Sequence, residues 1–133
     1  MTALDIVKEY YACFNQKNWN GMMALLDATI RHEPNQGEVR IGLEKFAEFM
    51  KIMDTAYEET LTDMVFLTEP TDSRVAVEFM VNGIYKQSEP GLPEAHNQPY
   101  RLPAAAFLDV KAGKITRVTT YYNLPLWIKL VSE

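Results

Sequence analysis

Apolar positions recur every three to four residues in the first part of the chain and every second residue in the latter part. Leu4, Val7, Tyr11 and Phe14 fall on one stripe, with Ile6, Tyr10 and Cys13 on the adjacent one. This predicts a broad-faced amphipathic helix to about Lys17. Thr2, with Asp5 three residues on, offers a capping-box start. Asn18 caps a second predicted helix over residues 19–26, weakened by Gly21. Residues 28–33 read as a strand turned by residues 34–37, with a short return over 38–41. Gly42 opens a third helix, in which Leu43, Phe46, Met50 and Met53 keep helical spacing to about Tyr57.

Beyond Glu58 the period is two. It predicts strands over residues 61–68, 74–85, 100–110 and 115–123, with tight links at 70–73 and 111–114. Residues 88–99, with three prolines and one glycine, form a longer loop. Residues 124–131 suit a short helix or strand anchored by Trp127 and Leu130. Helices followed by a mostly antiparallel sheet make an α+β fold with the helices on one face. Val75, Val77, Phe79 and Val81 share one side of their strand, yet Met80 and Ile84 make the other side partly apolar. That predicts a homodimer through the outer sheet face.

Composition narrows the function classes. A length of 133 residues is expected to form a single domain, 1–133, with a sizeable core. Thirteen basic against eighteen acidic residues give a net charge of −5, with no basic stripe, so neither nucleic acid nor a membrane is expected as partner. The single cysteine, Cys13, excludes an internal disulfide and reads as a small buried side chain. Without a leader pattern or long apolar run, a cytoplasmic location is expected. His32 and His96 are far apart and no cysteine or carboxylate completes a metal set. No phosphate-binding glycine loop occurs, and no cofactor is expected.

The candidate chemistry lies at Glu33, a strand-end carboxylate held against Pro34, and at Tyr10 on the first helix. A general base and a phenol facing one apolar cavity would suit proton abstraction from carbon. Glu33 could equally be a solvated carboxylate paired with Arg31 or Arg40, and Tyr10 a core tyrosine. Strand alternation sends His32 and Glu33 to opposite sides. Glu33 is assigned to the cavity and His32 to the surface, with His32 as base if a bulge reverses them. Tyr100 and Arg101 follow the long loop and are placed near the cavity mouth.

The element order, together with Ala28-Thr29-Ile30-Arg31-His32-Glu33-Pro34, resembles the ketosteroid isomerase and SnoaL-like polyketide cyclase group of the nuclear-transport-factor-2-like superfamily. Residues 76–83 resemble its third long strand, Gly113-Lys114-Ile115 its last hairpin, and residues 121–127 the tail of an isomerase-related subgroup. The resemblance implies a cone-shaped barrel whose curved, mixed, mostly antiparallel sheet packs against three N-terminal helices. It places Glu33 at the catalytic aspartate and Tyr10 at the oxyanion-hole tyrosine. It also lines the cavity with Val118, Thr120 and Tyr122. Pro103 falls where the isomerases carry a second, protonated aspartic acid donor. Proline has no such donor, which argues against efficient steroid isomerisation. The implied activity is a cofactor-free isomerase or polyketide cyclase acting on a small apolar carbonyl-containing molecule. The alternative is a non-catalytic small-molecule-binding or protein-interaction dimer of the same fold.

Overall fold

The computed structural model describes residues 1–133. Helix α1 (Ala3–Asn15) starts where the sequence sets it: the Thr2 hydroxyl accepts from the Asp5 N–H, and the Asp5 carboxylate accepts from the Thr2 N–H. Helix α2 (Trp19–Met23) is shorter than its pattern, because Leu26 already belongs to strand β1 (Leu26–Glu33). Strand β2 (Arg40–Ile41) returns beside it, and helix α3 (Leu43–Ala56) follows. Four long strands complete the sheet: β3 (Tyr57–Thr68), β4 (Arg74–Tyr85), β5 (Gln98–Lys111) and β6 (Lys114–Tyr122). Residues Leu124–Ser132 are helical (α4), with the Asn123 side chain accepting from the Leu126 N–H at 3.0 Å.

The six strands form one mixed sheet in the order β2-β1-β6-β5-β4-β3. Only β1 and β6 run parallel; every other neighbouring pair is antiparallel. The sheet is open, with β2 and β3 as its edges. Alternation along β4 and β5 separates two faces. Val75, Val77, Phe79 and Val81 join Leu102, Ala104, Ala106 and Leu108 in the core, where α1 and α3 contribute Ile6, Val7, Tyr10, Phe46 and Met50. Helix α4 brings Trp127 against the rings of Tyr57, Tyr85 and Tyr100, at centroid separations of 4.9–5.9 Å. The Gln98 amide ties that helix to β5 by donating to the Val131 carbonyl at 2.9 Å.

The opposite face is polar with apolar islands. Asp109 accepts from Arg74 and Arg117, at 2.7 and 2.8 Å, and Phe107 meets Tyr121 edge to face. No helix is long and apolar enough to cross a membrane.

Candidate active site

A cavity of about 310 Å³ opens between the helices and the inner sheet face, and 19 of its 27 lining residues are hydrophobic. Its polar groups are few, so each one's placement matters for the chemistry available.

Strand β1 delivers His32, not Glu33, to this cavity. Ile30 is wholly buried, and His32, two residues on, shares its side of the strand. His32 is 5% exposed, with the rings of Phe46 and Phe49 at 5.0 and 4.5 Å. Burial, with the nearby Arg40 charge, lowers its pKa to about 4, so the imidazole is neutral near pH 7. Its Nδ1 is buried without a hydrogen-bond partner.

Glu33 therefore corrects the expectation drawn from the sequence. Its carboxylate lies on the outer face, accepting from Arg31 Nε at 2.6 Å and from the Thr119 hydroxyl, with Arg117 at 3.8 Å. The Thr119 and Arg31 hydrogen bonds hold its pKa below the usual carboxylate range. Its position outside the cavity removes it as the base there. On the outer face Arg31, Thr119 and Arg117 together hold the carboxylate.

Helix α1 places Tyr10 and Tyr11 on the cavity wall, their rings edge to face at 5.0 Å. Desolvation pushes both hydroxyls above the ordinary tyrosine pKa, so each is a neutral donor. Val118, Thr120 and Tyr122, alternate residues of β6, line the same cavity. Pro103 and Arg101 do not: both project from the outer side of β5. Arg101 there donates to Asn82 at 3.0 Å and meets Asp63 at 3.2 Å. Their even-numbered neighbours Tyr100, Leu102 and Ala104 take the inward side, which fixes the odd positions outward. Tyr100 is buried rather than at the mouth, and its hydroxyl donates to Glu59 at 2.5 Å.

Sequence reasoning did not place three charged members of the wall there. Glu59, on β3, has its pKa raised by burial, against the lowering effects of the Tyr100 hydrogen bond and Lys17. Glu89, in the loop before β5, accepts from the Tyr57 hydroxyl. Arg40, the cross-strand neighbour of His32, stacks its guanidinium 4.7 Å from the Phe49 ring centroid. A usable signal existed for Arg40: residues opposite one another on paired strands share a face.

Comparison with known proteins supports the fold and family. A SnoaL-like domain model matches residues 7–118. A crystal structure from Pseudomonas putida KT2440, of a protein provisionally named a polyketide cyclase, is 45% identical, with 98% of each chain covered and a TM-score of 0.97. Another protein so named, from Silicibacter sp. TM1040, is 47% identical over 99% of this chain and 96% of that one, also at 0.97. An NTF2-like protein from Burkholderia pseudomallei K96243 shares the fold at 15% identity and a TM-score of 0.82, covering 100% of this chain and 99% of that one. No curated protein matches the sequence. With the matched segment running from α1 into β6, the chain belongs to the SnoaL-like family.

Proposed function

We propose that this chain is a cofactor-free enzyme of the isomerase or cyclase type that moves a proton alpha to the carbonyl of a small, largely apolar molecule. His32 takes the proton and Tyr10 donates a hydrogen bond to the developing enolate oxygen. The observation that carries this reading is a neutral imidazole whose Nδ1 has no partner in the chain, on the wall of a predominantly apolar cavity that Tyr10 also lines. A base with a pKa of about 4 is weak, but the aspartate base of ketosteroid isomerase titrates at about 4.6 and relies on strong oxyanion donors. Exclusion of water strengthens the Tyr10 hydrogen bond in the same way. The chain acts as a homodimer through its outer sheet face, where Phe107 and Tyr121 remain exposed.

A non-catalytic ligand carrier is the second reading. It is favoured by Glu59 and Glu89, the two carboxylates on the cavity wall, each being engaged by a tyrosine hydroxyl.

Exchange of the alpha protons of 2-tetralone in deuterated buffer, followed by proton NMR, separates the two. The wild type should accelerate exchange over buffer. His32→Gln should lose about a hundredfold or more of that acceleration, and Tyr10→Phe about a hundredfold. Glu33→Gln should match the wild type. Undiminished exchange in His32→Gln would remove the histidine from the chemistry, and an inert wild type would favour the carrier.

A further inference from the structure

Two buried side-chain nitrogen or oxygen atoms in the chain have no hydrogen-bond partner: His32 Nδ1 and Arg40 Nη1. They belong to residues directly opposite each other in the β1–β2 pair, and both residues line the cavity. One ring, Phe49, packs against both, 4.5 Å from the His32 ring centroid and 4.7 Å from Arg40 Cζ. Native proteins rarely leave buried polar atoms unmatched, so two in adjacent positions point to a missing acceptor.

The charge balance agrees. Arg40 is the only lysine or arginine on the cavity wall and takes part in none of the chain's five ion pairs. The wall's two carboxylates accept from Tyr100 and Tyr57 instead. A guanidinium is always charged and only donates, and it suits a carboxylate better than any neutral acceptor.

We infer that Arg40 and His32 together form a carboxylate subsite, and that Arg40 makes the cavity select flat apolar ligands bearing an anionic oxygen over neutral ones of the same shape. This rests on reading the cavity as a substrate site, and it specifies the substrate class. With the anion accepting from the Nδ1–H, the imidazole proton is fixed there and the Nε2 lone pair is free to act as base. An anion at Arg40 also offsets the charge that, after burial, holds the imidazole's pKa down.

Calorimetric titration with sodium 2-naphthoate and with neutral, isosteric 2-naphthamide tests the subsite without requiring turnover. At neutral pH and low salt the wild type should bind the naphthoate at least about tenfold more tightly than the amide. Arg40→Met should erase that preference, chiefly by weakening naphthoate binding. Arg40→Gln carries the same expectation should the methionine variant not fold. A wild type that binds both equally, or neither, overturns the inference, as does a preference that survives both substitutions. Charge preference retained alongside unaffected exchange in His32→Gln would instead fail the proton-transfer reading alone.

Discussion

The ring of Tyr100 passes over Gly83 to reach the Glu59 carboxylate, and these three residues lie side by side on β5, β4 and β3. A side-chain carbon at position 83 would fall inside van der Waals contact with the Tyr100 ring and hydroxyl. Gly83 is thus required by close approach across the strand, since a buried aromatic ring held by Tyr57 and Trp127 has little room to retreat.

Gly83→Ala should therefore cost about 1–3 kcal/mol in urea unfolding, through overpacking and displacement of Tyr100. In combination with Tyr100→Ala the alanine at 83 should cost much less than it does alone. A cycle with no coupling between the two positions would refute the relationship.

His32 makes stability depend on pH in a defined window. Its folded pKa of about 4 lies below the unfolded value near 6.5, so between these values the unfolded state binds more protons. Stability should fall as pH drops through that window, by on the order of 3 kcal/mol in all, and then level off below it. His32→Gln should remove this component of the slope. Glu59, whose folded pKa is raised, contributes stability that is lost as pH rises, so the difference between wild type and variant isolates the histidine. Parallel pH profiles for the two proteins would contradict the buried, neutral imidazole.

The two tight hairpin links and all four long strands can be read from periodicity, apart from the first four residues of β3 and one or two at other strand ends, because alternation and turn chemistry are local. The same local rule was enough to separate His32 from Glu33, but not to say which faces inward. The spacing from Ile30 settles it: Ile30 is wholly buried and His32, two residues on, shares its side, past the irregularity in the β1–β6 register between Leu26 and Arg31. The resemblance places Glu33 at the catalytic aspartate, and the Ile30–His32 spacing overrules it. The same rule applied to β5 sends Pro103 and Arg101 outward with Phe107 and away from Leu102 and Ala104. The Glu59–Tyr100 bond was not legible, since it joins residues 41 apart across an intervening strand. Arg40 becomes chemically interesting only once its lack of an acidic partner is seen.

The β5–β6 hairpin contains a correctable strain. Ala112 and Gly113 have φ of 51° and 78°, the left-handed pair that suits a two-residue hairpin. Glycine adopts that geometry freely, but alanine is held there at a cost. Ala112 is exposed, so nothing else is disturbed by changing it. Ala112→Asn should raise stability by roughly 0.5–1 kcal/mol in thermal or urea unfolding. A neutral or destabilising result would show that the turn differs from this geometry.

Phe107 and Tyr121 bear on assembly. They are 40% and 44% exposed, and their rings meet edge to face at 5.9 Å on the outer sheet face. Beside them Arg74 and Arg117 both pair with Asp109, and Arg117 also lies 3.8 Å from Glu33, so each of these charges is already engaged within the chain. A second copy laid across this face would bury the rings. Sedimentation at micromolar concentration should give a dimer for the wild type. Phe107→Glu should give a folded monomer, because a carboxylate placed in the apolar centre is costly to desolvate. A monomeric wild type, or a variant that still dimerises fully, would move the interface elsewhere.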